Sequence, residues 1–131
     1  MKWRSFALLA ALCACAGSTM QSGDARGVQA ACLRGATHAE LRASGTVRRV
    51  LGIQHGRNGS HEGFIFVTDA PAQYRVEDNI DLTGYIPLRT GEHIELQGQY
   101  ECNDGVIHWT HRDPSGRHIA GFIKADGRTY Q

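Results

Sequence analysis

Gly91-Glu92-His93-Ile94-Glu95-Leu96-Gln97-Gly98-Gln99-Tyr100-Glu101-Cys102 decides the fold class. Ile94, Leu96, Gly98, Tyr100 and Cys102 fall on one face of an extended chain, and His93, Glu95, Gln97, Gln99 and Glu101 on the other. That period of two is a half-buried β-strand, and it sends Cys102 inward with Ile94 and Leu96. Downstream, Asn103-Asp104-Gly105 turns the chain into a strand over 106–112. Asp113-Pro114-Ser115-Gly116 is a four-residue turn with Pro at its second position, followed by a strand over 117–124. Asp126-Gly127 turns again into the last residues. Upstream, Phe64-Ile65-Phe66-Val67 is a strand apolar on both faces, hence central, and 73–77 is a shorter strand after Pro71. The stretch 79–87 is a connector with room for one helical turn. Thr46 to Ile53 is the first strand. Val47 and Val50 are three apart, which predicts a bulge between them. Gly56 and Asn58-Gly59-Ser60 supply hairpin-loop chemistry after it.

One helix is expected, over 25–43, where Val28, Ala31, Cys32, Ala36 and Ala39 recur at spacings of three and four. Five or six short strands with a single N-terminal helix predict a mainly β protein, a small antiparallel barrel. The segment from Gly91 to Gly98 resembles the fourth strand of oligonucleotide/oligosaccharide-binding (OB) folds, and a bulged first strand fits that fold.

The chain has 131 residues, 14 basic and 13 acidic side chains and a formal charge of +1. That is one domain, too nearly neutral for a general polyanion-coating protein. Residues 1–16 read as a secretory signal: Lys2 and Arg4, an apolar run over 6–12 too short to span a bilayer, then small residues. Two processing sites compete. Ala14-Cys15-Ala16 suits ordinary signal peptidase, whereas Leu12-Cys13-Ala14-Cys15 resembles a bacterial lipobox with Cys15 lipidated, and Ala16 behind it resembles an outer-membrane sorting signal. Residues 17–27 then form a flexible tether and 28–131 the single domain. Without the leader, 12 basic residues face 13 acidic ones, so the mature charge is near −1. The implied address is the periplasm or, for the lipoprotein, the outer membrane of a Gram-negative bacterium. A lipid anchor is the only membrane attachment expected.

Either processing leaves Cys32 and Cys102 as the two thiols of the folded part. In an oxidising compartment such a pair is a natural disulfide, the alternative being two separate buried thiols. No CxxC is present, which argues against a thiol oxidoreductase.

Three of the seven histidines fall within eleven positions, His108-Trp109-Thr110-His111-Arg112-Asp113-Pro114-Ser115-Gly116-Arg117-His118. On regular strands His108 and His111 point to opposite faces. If Pro114 and Ser115 are the central turn residues, His111 faces His118, Arg112 faces Arg117, and Asp113 shares a face with both histidines. His111, His118 and Asp113 are therefore candidate catalytic residues or ligands of a divalent metal, with His55 or His61 available as a further ligand. Arg112, Arg117 and His108 on the other face, with Arg48 or Arg49, make a candidate anion patch, because a guanidinium fork suits phosphate or carboxylate. Trp109, Tyr85, Tyr100 and Tyr130 are candidate stacking platforms. Solvated hairpin polars beside Trp109 are the plainer alternative. G-x-S-x-G, P-loop, G-x-G-x-x-G and H-E-x-x-H patterns are absent.

The stretch from Gly105 to His118, continuing through Ala120-Gly121-Phe122-Ile123 and Gly127-Arg128-Thr129-Tyr130-Gln131, resembles a family of small exported bacterial proteins grouped as a domain of unknown function, DUF3465. Ser60 to Ile65, Asn79 to Leu82 and Ile94 to Glu101 extend the likeness. The resemblance implies an exported or periplasmic β-rich domain and no established reaction. Matching positions are His61, Asn79, Asp81, His108, Trp109, His111, Asp113 and His118. The family pattern carries His where this chain has Asp78, which departs from a multi-histidine metal set, and Trp where it has Cys102. Three functions follow as expectations. The first is a binding module for an anionic or extended ligand (nucleic acid, glycan or an envelope partner), served by Trp109, His108, Arg112, Arg117, His61, Asn79 and Asp81. The second is a metal- or His-dependent hydrolase, phosphodiesterase-like, using His111, Asp113 and His118. The third is a structural envelope lipoprotein.

Overall fold

The computed structural model describes residues 23–131. The signal, both processing sites and Cys15 lie outside the described residues. The chain runs α1 (Ala25–Leu33), β1 (His38–Gly56), β2 (Gly59–Thr68), β3 (Gln73–Asn79), α2 (Ile80–Thr83), β4 (His93–Glu101), β5 (Val106–His108), β6 (Phe122–Ala125) and β7 (Arg128–Tyr130). It is mainly β, one seven-stranded sheet and one substantial helix.

The pairings run β1-β2-β3-β5-β4-β6-β7, and β4 also pairs with β1, so following them from β1 through β2, β3, β5 and β4 returns to β1. The β3–β5 contact is parallel. The long first strand makes this possible. Residues 38–46 of β1 pair with β4, whereas residues 45–56 pair with β2. The register slips between Val47 and Arg49 and again between Val50 and Gly52. The first slip is the bulge expected there; bulges bend a strand and increase its twist.

The enclosed face is apolar. Leu41, Val47, Phe64, Phe66, Val76, Ile86, Ile94, Leu96, Ile107 and Ile123 are all at most 2% exposed, each contributing about 1.5–3 kcal/mol of burial. Ala25 and Val28 of α1 join this core, with Cys32 packed against it. Cys32 and Cys102 form a disulfide, as the cysteine count predicts.

Three expectations need correction. The helix ends at Leu33, not residue 43. Gly35 takes a φ of 93°, and Ala36 N–H bonds back to Ala31 O at 3.1 Å, a left-handed stop that glycine permits. Beyond it Ala39, Leu41 and Ala43 alternate with Glu40 and Arg42, a strand pattern that the helical spacing of alanines obscured. Next, the folded unit begins before residue 28: Gly23 bridges Leu41, and Asp24 caps α1 by accepting from Gly27 N–H at 2.9 Å. Lastly, the two strands expected over 106–112 and 117–124 shrink to Val106–His108 and Phe122–Ala125. Residues 109–121 are a loop, so the ladder register that set His111 opposite His118 does not exist. No helix among the described residues is long and apolar enough to cross a membrane.

Candidate functional site

The histidine-rich loop leaves the sheet abruptly. β5 stops at His108, and Trp109 adopts a φ of 55°, a left-handed conformation uncommon for a bulky residue. Thr110 is then fully buried, and its hydroxyl donates to Asp78 Oδ1 at 2.6 Å. The loop can lie this close because two neighbours lack side chains. A Cβ on Gly121 would sit 2.1 Å from Trp109 O, and one on Gly98 would sit 2.7 Å from His108 O. Gly121 N–H closes the loop on His111 O at 2.8 Å.

Asp113 organises the tip. Its carboxylate accepts the Ser115 hydroxyl, Ser115 N–H at 2.8 Å and Arg117 N–H at 2.8 Å. Gly116 N–H bonds to Asp113 O at 3.0 Å, the turn expected from Asp113-Pro114-Ser115-Gly116. The Ser115 hydroxyl, followed by these backbone donors, holds the carboxyl far below the usual carboxylate range. Both Asp113 oxygens thus serve the loop.

The rings form a column. Trp109 stacks with His108, centroids 4.7 Å apart, and with His118 at 4.6 Å; His111 meets His118 edge-on at 5.0 Å. Trp109 is nonetheless 36% exposed. His108 Nε2 donates to Glu101 Oε1 at 2.7 Å, a carboxylate that also accepts from Gln99 Nε2 at 2.6 Å. Burial opposes ionisation of Glu101, yet these two donors hold its carboxyl below the ordinary value. His111 Nδ1 faces Arg112 O at 2.7 Å and His118 Nδ1 faces Ile119 O at 2.8 Å. A carbonyl only accepts, so each Nδ1 carries the proton, and in the neutral ring Nε2 offers a lone pair.

His111, Asp113 and His118 are thus brought together, as the sequence suggested, but by a folded loop rather than a hairpin ladder. His118 Nε2 lies 3.8 Å from Asp113 Oδ2. Among the described residues no three His, Cys, Asp or Glu side chains are grouped to hold a metal ion. Arg117 is largely exposed and reaches Asp113 at 3.4 Å, and Arg112 is exposed at the loop's edge. Asn79 caps α2 by accepting from Asp81 N–H at 3.1 Å, and Asp81 accepts from Ser60 N–H at 2.8 Å. These two polar residues tie the β1–β2 turn to the start of α2.

Two clefts flank the ring column. The larger, about 560 Å³, lies where His38, Glu40 and Gln99 of β1 and β4 face Arg117 and His118. The smaller, about 350 Å³, lies at the β1–β2 turn between His55, Arg57, Asn58, His61, Glu77 and His108. His108 lines one and His118 the other, so the His108–Trp109–His118 stack is the rib between them. His38 and Glu40 escaped the sequence reading because 38–43 read as helix, and strand parity would have found them; Gln99 had its face of β4 but not its cleft.

A second feature missed from sequence is inside the fold. Glu62 and Asp78 sit directly opposite on β2 and β3, 2% and 0% exposed. Parity with Phe64 and Phe66 already turns Glu62 inward. Glu62 accepts from Ile86 N–H at 3.3 Å, and Asp78 accepts from the hydroxyls of Thr83 and Thr110. Burial, with Asp78 adding to it, pushes the Glu62 carboxyl from 4.5 up to about 7; burial also raises Asp78. Folded Glu62 then holds its proton more tightly than the unfolded chain does. That stabilisation is complete below pH 4.5 and is lost as pH rises through about 7, a change on the order of 3 kcal/mol. Denaturant titrations across this window should show wild-type stability falling with pH. Glu62→Gln, which keeps the acceptor for Ile86 N–H and cannot ionise, should flatten the dependence; equal slopes in both proteins would refute the assignment.

No curated protein and no solved structure matches the chain. A family model does match, over residues 10–131, nearly the whole length. That span takes in the histidine-rich loop, the buried acid pair and both clefts, and on it the chain belongs to the family described as protein of unknown function, DUF3465.

Proposed function

We propose that this protein is an exported, OB-like barrel that serves as a binding module for an extended glycan strand. The order β1-β2-β3-β5-β4 returning to β1, with β3 parallel to β5, supports a likeness to that fold, whose members bind oligonucleotides and oligosaccharides. A disulfide in the folded domain favours an oxidising compartment, in keeping with a leader over 1–16.

The observation that carries the reading is the pair of clefts joined across the His108–Trp109–His118 rib. Together they offer imidazole, amide, carboxylate and guanidinium groups along one path, the polar mixture that hydroxyl-rich ligands require. Nucleic acid fits less well. Trp109 already stacks with two imidazoles, which compete with a base for the indole. Arg42, Arg75 and Arg117 are each paired with a carboxylate, and the mature charge is near −1. The hydrolase reading draws less support because both Asp113 oxygens are engaged by Ser115 and Arg117.

Titration of the mature protein with an N-acetylglucosamine hexamer, followed by backbone amide shifts, should perturb both clefts together with little dependence on salt. A single-stranded thymidine dodecamer should bind weakly. Tighter oligonucleotide binding that collapses as salt rises would overturn the proposal in favour of a nucleic-acid module.

A further inference from the structure

The larger cleft holds an unmatched group. Among the described residues Glu40 Oε2 is the buried side-chain polar atom with no hydrogen-bond partner. Leaving such an atom unpaired is unfavourable, and more so for a charged group. Burial raises the Glu40 carboxyl, with His118 and His38 opposing the shift.

The groups around it are acceptors too. Gln99 donates its amide NH₂ to Glu101 Oε1, which leaves its own carbonyl oxygen as an acceptor. His118 donates Nδ1–H to Ile119 O, so in the neutral ring its Nε2, 3.8 Å from Asp113 Oδ2, is an acceptor. His38 Nδ1 is 3.1 Å from Thr37 Oγ1. The one fixed cation at the cleft, Arg117, is turned to Asp113 and is largely exposed. Acceptors therefore outnumber donors around a cleft of about 560 Å³. The complement of such a lining is a group with several N–H donors.

We propose that the cleft between β1, β4 and the histidine-rich loop is a subsite for a primary ammonium group, recognised by Glu40 with Gln99 and His118. The inference rests on the glycan reading and narrows it: the strand carries a free amine, as a de-N-acetylated amino sugar does, where it crosses this cleft. An ammonium has three donors and no acceptor, which suits Glu40 and Gln99, ladder partners on β1 and β4, with His118 lining the same cleft from the loop. No covalent step is involved.

The test compares a glucosamine tetramer with an N-acetylglucosamine tetramer on the mature wild-type protein and on Glu40→Gln, by calorimetry and amide shifts. The amine form should bind about tenfold tighter, as a charge-assisted contact warrants. Glu40→Gln should abolish that preference. The variant should also melt no lower than wild type, because it replaces an unpartnered buried carboxylate with a neutral amide; this separates a binding role from a structural one. Equal affinity for the two sugars, with Glu40→Gln indifferent, would overturn the ammonium subsite and leave the glycan reading standing. If neither sugar binds but an end-capped Gly-Lys-Gly peptide shifts the cleft amides in wild type and not in Glu40→Gln, the subsite stands and the glycan reading fails. Binding of zinc or calcium chloride alone, lost in Glu40→Gln, would overturn the ammonium assignment in favour of a metal.

Discussion

Reducing the Cys32–Cys102 disulfide should lower stability by about 4 kcal/mol. The two cysteines are 70 residues apart in sequence, and a cross-link over that length removes much of the freedom the unfolded chain would otherwise regain. For a domain of this size the melting midpoint should fall by roughly 15–30 °C. The loss should not be uniform. α1 has nine residues, too few to persist as an isolated helix, and is held by Ala25, Val28 and the disulfide. Its amides should be the first to lose hydrogen-exchange protection in Cys32→Ser/Cys102→Ser. A double variant that melts within a couple of degrees of the oxidised protein would show that Val28 and Ala25 suffice to hold the helix.

Gly121→Ala should be equally disruptive, for a steric reason. The added methyl would lie 2.1 Å from Trp109 O and 2.7 Å from both Gln97 O and Thr110 Cα. All three are backbone atoms, which cannot rotate aside as a flexible side chain would. Overpacking typically costs about 1–3 kcal/mol; with β4 and the loop both in the way, the upper end or more is expected. Relief requires the loop to lift from β4, which breaks the Gly121 N–H to His111 O bond and opens the stack around Trp109. In a protein begun at residue 17 Trp109 is the sole tryptophan, so its fluorescence should shift to the red. Sugar binding across the rib should weaken in parallel. Gly56→Ala is the control: nothing lies within 4 Å of its Cβ position, and neither stability nor fluorescence should change. An unshifted Trp109 spectrum in Gly121→Ala would mean the strands yield and the loop does not.

Strand parity made much of this fold readable. Ile94 to Cys102 gave the inward set of β4, and Val47 against Val50 gave the first bulge. Parity failed where side-chain pattern and backbone course separate. Val106 to Arg112 alternates acceptably on paper, yet the left-handed turn at Trp109 breaks the strand after three residues. That turn depends on Gly98 and Gly121, far from the loop in sequence, giving room to its backbone. His111, Asp113 and His118 could be named in advance as neighbours because a Pro-Ser turn brings them near each other in almost any geometry. Their partners could not. The carbonyls of Arg112 and Ile119, the stacked rings, and the larger cleft's His38 and Glu40 all follow from where the loop lands on β4. The Ala-rich run over 36–43 hid the start of β1 for a related reason: small residues satisfy both periods, and only pairing with β4 decides between them.

The long first strand also sets the order in which the molecule can assemble. β1 meets β2 through a short turn, a local event, but its first half must find β4 between 47 and 63 residues away, from Thr46 with His93 to His38 with Glu101. Distant pairings of this kind are slow to nucleate. The disulfide sits at the far end of that seam, since Cys102 N–H bonds to Thr37 O at 2.9 Å, one residue from the His38–Glu101 pair. Once the two sulfurs are joined, the search for β4 becomes a short-range closing from a fixed end, like a zip already engaged at its base. Oxidation and closure of the ring are thus kinetically linked, and a catalyst of thiol exchange in the surrounding compartment would act on this chain as a folding catalyst.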